Sequence, residues 1–382
     1  MKRVWLMGRL VGWFVSWLLL TSIAAAQGPS LTRGPYLQAT TRDSVIVVWQ
    51  TDVAGDSVVE YGETGYTQTA SDSTPVTTHV ITLTGLAAAT TYQYQIKTGG
   101  TLLYQSTLAT VPDPGAAFDF TVIGDSGNGS FGQMAVALQL EALDPDFLLH
   151  TGDVIYPLGQ ASGYNPYFFT PYHYLVDRAP VFPSLGNHDY ATANGQPYLD
   201  AFYLPASSPG GERYYSFDWG DAHFVALDSN WGFTVNTSML DWLESDLAAS
   251  TAEWKFVFFH HALYTTGPHR NDPTLPILRD ALGPVLSKYK VDIVFNGHDH
   301  AYERSRPLNG VIYVVTGGGG GDLYSVGTSG DIVFSASVYH AVQVQIDGCL
   351  LSLRAIDISG TTFDQIVLTK CPRIYLPALM KN

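Results

Sequence analysis

Five separate stretches of this chain carry metal-binding residue types, and each follows a short apolar run of β-strand length. The runs are Phe118–Ile123, ahead of Gly124-Asp125-Ser126-Gly127; Asp146–His150, ahead of Gly152-Asp153-Val154-Ile155-Tyr156; Pro180–Leu185, ahead of Gly186-Asn187-His188-Asp189; Trp254–Phe259, ahead of His260-His261; and Val291–Phe295, ahead of Gly297-His298-Asp299-His300. Strands laid side by side bring such endings to one edge, and the carboxyl edge of an open α/β sheet is where ligands bind. Residues spread over about 175 positions are therefore expected to converge on one site.

Asp125, Asp153, Tyr156, Asn187, His260, His298 and His300 make seven candidate ligands. Seven is too many for one tetrahedral ion and suits two ions that share a bridging carboxylate. Asp153 is the expected bridge. Tyr156 narrows the choice of metal: a phenolate is a hard anionic donor that favours a trivalent ion, whereas imidazole and amide oxygen suit a divalent one. The expectation is Fe(III) beside a divalent metal, Zn, Mn or Fe.

The motifs GDSG, GDVIY, GNHD, Val257-Phe258-Phe259-His260 and GHDHAYER together resemble the purple acid phosphatases, a branch of the calcineurin-like metallophosphoesterases. The wider superfamily carries Asp-x-His in its first motif; this chain has Gly127 at the histidine position and offers Tyr156 three residues after Asp153. The resemblance implies Asp125, Tyr156 and His300 as ligands of the ferric ion, Asn187, His260 and His298 as ligands of the divalent ion, and Asp153 spanning both. It also implies that His188 and His269 contact the phosphate as catalytic residues. Asp189 stands where plant-like members read Glu in GNHE, a departure expected to matter little. Arg270 stands where a second histidine is expected; it can neutralise a phosphate oxygen, and it leaves the proton donor open between His188 and His269.

Taken singly, a His or Asp in such a motif is more often structural or solvated than metal-bound. Five motifs in order, each in strand context, argue for a site. His261 is read as packed beside the ligands, because successive residues of a strand point to opposite faces. His150, His173, His223 and His340 are left as structural or unassigned.

Lys2, Arg3 and Arg9 surround the start of an apolar run, Leu10–Leu20, which leads to Ala24-Ala25-Ala26 before Gln27. This is the pattern of a secretory signal peptide, residues 1–26, cleaved after Ala26, and the run is short for a membrane span. A secreted or periplasmic protein is expected, free of the membrane after cleavage. Cleavage moves the formal net charge from −15 to −18, which argues against nucleic-acid binding and leaves the metals to attract a phosphate locally. Cys349 and Cys371, with 21 residues between them, are expected to pair in an oxidising compartment, contributing roughly 3 kcal/mol by loop entropy.

At 382 residues and 46% hydrophobic, the chain is long enough for two domains. Residues 31–111 alternate in short segments, among them Asp43–Thr51, Ser57–Tyr61 and Tyr92–Lys97, with turn residues between them. They read as a small all-β sandwich. It resembles the fibronectin-III-like domain that precedes the catalytic domain in plant-like members, with Arg33-Gly34-Pro35-Tyr36-Leu37-Gln38 as opening strand and Thr91-Tyr92-Gln93-Tyr94 as tyrosine corner. Pro112–Ala117 reads as linker. Residues 117–370 are expected to form an α/β catalytic domain, a four-layer α/β/β/α sandwich, and 371–382 a tail. Phe131–Leu143, Ser238–Ala249 behind a Thr/Ser cap, and Leu275–Lys288 have helical periodicity. Gly310–Thr316, Tyr339–Ile346 and Leu350–Ile358 read as antiparallel strands, and Gly317–Gly321 as a mobile loop at the sheet's edge. Tyr164, Tyr167, Phe168 and Tyr190 are read as loop residues that shape a pocket or pack the surface.

The chemistry implied is hydrolysis of small phosphate monoesters by a metal-held hydroxide in line with the leaving group, with His188 or His269 as proton donor. The assembly, a homodimer included, is open. Two other readings stand beside it. One is a phosphodiesterase or nucleotide hydrolase on the same site. The other is a cell-surface binding protein with a vestigial site, against which the presence of all seven ligands counts.

Overall fold

A computed structural model describes residues 28–371, except positions 207 and 233. The expected signal peptide and nearly all of the expected tail lie outside these residues. Among the described residues no helix is long and apolar enough to cross a membrane.

The first 80 or so described residues form a β-sandwich of β1 (Leu31–Gln38), β2 (Ser44–Gly62), β3 (Gln68–Thr84), β4 (Thr91–Thr98) and β5 (Thr101–Ala109). Their order is β1-β2-β4-β5, with β3 also paired to β2. Alternation explains the core: Val45, Val47 and Trp49 of β2 and Tyr92, Tyr94 and Ile96 of β4 are buried. The two expected segments Asp43–Thr51 and Ser57–Tyr61 are one long strand, whose register with β3 shifts on both sides of Gly55. β3 has no counterpart in the sequence reading, because its Thr- and Ser-rich first half is exposed and hides the alternation. The tyrosine corner forms: the Ala87 N–H donates to the Tyr92 hydroxyl at 2.8 Å.

The opening strand also fastens this sandwich to the rest of the chain. Arg33 donates from Nε to Asn165 Oδ1 at 2.6 Å and lies 3.9 Å over the Phe169 ring, an arrangement that suits guanidinium. Tyr36 donates to the Ala201 carbonyl, and Gln38 both donates to the Val181 carbonyl and accepts from the Tyr203 N–H. Tyr36 and Val48 belong to the same buried cluster as the catalytic core.

The part from Phe118 onward stacks two sheets. The first contains β6 (Phe118–Ile123), β7 (Phe147–His150) and β8 (Val181–Pro183), extended by β16 (His340–Asp347), β17 (Leu350–Asp357) and β18 (Thr362–Thr369) in the order β18-β17-β16-β6-β7-β8. The second contains β9 (Tyr215–Trp219), β10 (Ala222–Ala226), β11 (Trp254–Phe258), β12 (Ile293–Asn296), β13 (Tyr302–Ser305), β14 (Ile312–Thr316) and β15 (Ile332–Ala336) in the order β15-β13-β14-β12-β11-β10-β9. Phenylalanines fill the space between the sheets: Phe120 meets Phe224 and Phe256 edge to face at 5.1 and 5.3 Å, and Phe147 meets Phe224 at 5.2 Å. Such edge-to-face pairs add to the burial of large rings.

Helices α1 (Phe131–Leu143), α2 (Thr237–Ala249) and α3 (Leu275–Lys288) complete the layers. α2 and α3 bury Met239, Leu243, Leu247, Leu278 and Leu282 against Val225, Val257 and Val294. Ser130 caps α1 by accepting the Gln133 N–H. The cap of α2 is Asn236, which accepts the Met239 N–H, instead of the expected Thr or Ser. β14 also departs from expectation: it runs parallel to β12 and antiparallel only to β13. Strands β16 and β17 pair antiparallel as read, and Cys349 and Cys371 are joined. Tyr164 and Phe168 are core residues, not pocket residues.

His223 on β10 ties two elements together, with Nδ1 2.7 Å from Asp218 Oδ1 on β9 and Nε2 2.8 Å from Asp246 Oδ2 on α2. Burial opposes its charge, but the two carboxylates overcome burial and hold its pKa up at about 9. A raised folded-state pKa gives stability that is complete below the unfolded value and disappears as pH climbs through the folded one. His223→Gln is therefore expected to destabilise by about 2 kcal/mol at pH 5 to 6. Thermal melts should show the gap to the parent closing above about pH 9.

Candidate metal centre

The motif residues sit where strands end. Asp125 follows β6, Asp153 follows β7 and Asn187 follows β8, all in the first sheet; His260 follows β11, and His298 and His300 follow β12, in the second. The expected single edge is thus made of the facing edges of two sheets. Asp125, Asp153 and His298 have φ of 57°, 53° and 69°, in the left-handed region. Such backbone costs energy and gathers where a site must aim side chains.

Glycine makes the close approaches. A Cβ at Gly127 would fall inside the Val154 carbonyl, so the histidine that the wider superfamily carries there has no room. The run Gly317–Gly321 is buried beneath the site and is not an exposed edge loop. Gly319 N–H donates to Gly124 O at 3.0 Å and Gly321 N–H to Asp125 O at 2.8 Å. A side chain on Gly321 would meet the His300 ring at 2.7 Å.

All seven candidate ligands converge. The Tyr156 hydroxyl oxygen lies 3.1 Å from Asp125 Oδ1, 3.0 Å from Asp153 Oδ2 and 2.9 Å from His300 Nε2. His260 Nε2 lies 2.9 Å from Asn187 Oδ1, 3.3 Å from Asp153 Oδ2 and 3.1 Å from His298 Nδ1. Two groups of three therefore meet at Asp153. Asp125, Asp153 and His260 each place a donor atom within 4.8 Å of the other two.

Hydrogen counting tests whether cations fit. His260 Nδ1 is 3.0 Å from the Thr151 carbonyl and His300 Nδ1 is 2.8 Å from the Asp322 carbonyl. A carbonyl only accepts, so each Nδ1 carries a proton. Burial lowers the His300 pKa, and its Nε2 turns a lone pair inward; burial opposes charge on His260 too, but Asp153 holds its pKa up at about 9, so His260 Nε2 gives up its proton where a cation takes the proton's place. Tyr156 has one proton for three acceptors. Lone pairs facing lone pairs in a buried pocket need positive charge between them. Burial, and then the charges of Asp125 and Asp153, push the Tyr156 phenol well above its usual pKa, so its ionisation requires a cation. Burial likewise drives the Asp125 carboxyl up and the His298 imidazole down. The donor set fits metal ions.

His188 and His269 flank this cluster. His188 donates from Nδ1 to the Pro157 carbonyl at 2.6 Å, which leaves Nε2 3.9 Å from Asp153 Oδ2. The His269 ring stacks on His298 at 3.9 Å, with Nδ1 2.8 Å from Asp299 Oδ1. Arg270 is exposed, its Nη1 bound to the Gly267 carbonyl. His261 is buried beside the ligands, as read, and bonds Ser229. His150 bonds Ser126 and the Gly152 N–H, and so shapes two motif loops.

Asp189 holds two loops together, a role the motif alone does not show. Its buried carboxylate accepts the N–H groups of Gly186 at 2.9 Å, Val154 at 3.1 Å and Ile155 at 3.3 Å. It thereby pins the Asp153 loop to the Asn187 loop. Burial, and next the charge of Asp153, push its pKa up to about 7.

Comparison with known proteins agrees with this geometry. Residues 118–302 match the calcineurin-like phosphoesterase family and residues 33–110 the purple acid phosphatase N-terminal domain. Purple acid phosphatase 4 of Arabidopsis thaliana is 30% identical over 308 residues, covering 68% of this chain and 86% of that protein. The chain belongs to the purple acid phosphatases. Purple acid phosphatase 22 of the same plant is 26% identical over 372 residues, 82% of each chain. In fold the chain is similar to a purple acid phosphatase from yellow lupin (Lupinus luteus) seeds, with a TM-score of 0.79 at 21% identity, over 88% of this chain and 74% of that one. This purple acid phosphatase is accordingly a phosphoesterase of the acid phosphatase type, and its family implies a dinuclear metal centre.

Asp189→Ala would strand buried N–H groups on two motif loops, at a cost on the order of 3 kcal/mol. A lower melting temperature together with reduced metal content in elemental analysis is the expected result.

Proposed function

We propose that this enzyme is a secreted acid phosphatase that hydrolyses small phosphate monoesters at an Fe(III)–M(II) pair, M being Zn, Mn or Fe. Asp125, Tyr156 and His300 would hold the ferric ion, Asn187, His260 and His298 the divalent ion, and Asp153 would serve both. The observation that carries this reading is the Tyr156 oxygen within 3.1 Å of Asp125, Asp153 and His300. A phenolate beside a carboxylate and an imidazole is a donor set suited to a hard trivalent ion. A bound pair supplies positive charge for the phosphoryl group and lowers the pKa of water enough to yield a nucleophile.

The chain's own residues do the rest. His188, fixed by Pro157, holds Nε2 beside Asp153, from where it would contact a phosphate bound at the pair. His269, fixed by Asp299, gives a proton to the leaving oxygen as the ester P–O bond breaks. Asn187 and Asp153 are kept in register by Asp189. The signal-peptide pattern at residues 1–26 supports export.

Purified protein should be violet or pink, from charge transfer between the Tyr156 phenolate and iron, with two metal ions per chain in elemental analysis, at least one of them iron. Tyr156→Phe should lose the colour and bind iron more weakly. A colourless, fully active protein with two divalent ions would remove Fe(III) from the reading and leave the phosphoesterase intact. Nitrophenyl phosphate should be turned over faster than bis-nitrophenyl phosphate; the reverse order makes the enzyme a diesterase.

A further inference from the structure

Behind His269 lies a buried chain of polar groups that the metal centre does not use. Asp299, between two candidate ligands, turns away from them: Oδ1 receives His269 Nδ1 at 2.8 Å and the His269 N–H at 3.3 Å. Its other oxygen, Oδ2, lies 2.5 Å from Thr265 Oγ1, and the same Oγ1 lies 2.5 Å from Glu303 Oε2. Glu303 on β13 has no solvent exposure. Its Oε1 accepts the Thr266 N–H at 2.8 Å and the Thr266 hydroxyl. Thr265 Oγ1 also accepts the Gly267 N–H at 2.9 Å.

A hydroxyl has one proton and two lone pairs. Thr265 Oγ1 accepts from Gly267 and is held between the Asp299 and Glu303 carboxyls. Thr266 is held in the same way: its hydroxyl meets Glu303 Oε1 and the Gly327 carbonyl, and it accepts the Gly327 N–H. Glu303 thus anchors both hydroxyls, and Thr265 fixes Asp299 Oδ2 while Oδ1 faces His269 Nδ1.

We infer that Thr265 and Glu303 are positioning residues for proton delivery: they fix Asp299 as the acceptor for His269 Nδ1–H, so that Nε2 on the opposite edge of the ring carries the proton for the leaving group. The inference rests on His269 being the donor, as proposed above. With Nδ1 occupied and the ring stacked on His298, Nε2 has no protein partner among the described residues. In the step itself the ester P–O bond breaks, its electron pair goes to the leaving oxygen, and that oxygen takes the Nε2 proton. Water supplies the oxygen of the new P–O bond and loses its own proton to solvent.

Leaving groups read this out. Nitrophenolate departs without a proton, whereas an alkoxide needs one. The measurement is kcat on glycerol 2-phosphate relative to kcat on 4-nitrophenyl phosphate, with metal content checked for each variant. Thr265→Val, close in shape but without the hydroxyl, should lower that ratio about 10-fold, a typical loss for a group supporting a catalytic residue. Thr265→Ser should restore it. Glu303→Gln, which keeps a hydrogen-bonding anchor for both hydroxyls, should behave like Thr265→Ser, and Glu303→Leu, which removes it, like Thr265→Val; a parent-like ratio in Glu303→Leu would remove Glu303 from the inference. Equal losses on both substrates in Thr265→Val would reduce Thr265 to a structural residue. His269→Ala separates the two levels. If it lowers the ratio and Thr265→Val does not, the chain behind His269 is refuted; if it leaves the ratio unchanged, His269 is not the donor, and the reading beneath the inference fails with it.

Discussion

Lone pairs crowded together in a buried pocket set the terms for this fold. Two carboxylates, a phenol oxygen, an amide oxygen and three imidazoles approach to about 3 Å with too few protons between them. Such a cluster is unfavourable on its own, because each group has given up water without gaining a donor. The surrounding structure is built to hold it: left-handed turns at Asp125, Asp153 and His298, the Asp189 carboxylate across two loops, and the glycine strap beneath Asp125 and His300. Metal binding releases this unfavourable contact, so occupancy and local stability are expected to be coupled.

The convergence of the candidate ligands was legible in the sequence because each lies within a few residues of a strand's end, where the apolar run and the glycine mark the place. Tyr156 drew notice by its place in the same motif as Asp153, together with the missing histidine at Gly127. Other parts were not. The role of Asp189 was one of them, since nothing in GNHD tells that its carboxylate gathers N–H groups from a loop more than 30 residues earlier. The glycine run looked like a flexible edge because composition alone cannot distinguish exposed freedom from tight packing. Strand β3 was hidden by its exposed Thr and Ser residues, and the parallel direction of β14 depends on a chain reversal that local pattern does not encode. The union of two sheets, with ligands contributed by both, is likewise a property of packing.

The N-terminal sandwich is bound closely to the catalytic part. Tyr36 and Gln38 spend their polar groups on carbonyls and an N–H of the catalytic part, and Arg33 is held by Asn165 and Phe169. A free linker would leave these groups to water. The motif that looked like an opening strand thus serves as a joint, and the two parts are expected to unfold together.

Three of the strands that lead to candidate ligands lie in one sheet and two in the other, and an apolar layer that includes Phe120, Phe147, Phe224 and Phe256 keeps those sheets apart. That layer acts as a gauge block: the thickness of an apolar core determines how far the Asp125, Asp153 and Asn187 loops stand from the His260 and His298 loops. Rings that touch neither metal nor substrate therefore help to set the size of the opening into which two ions and a phosphate must fit.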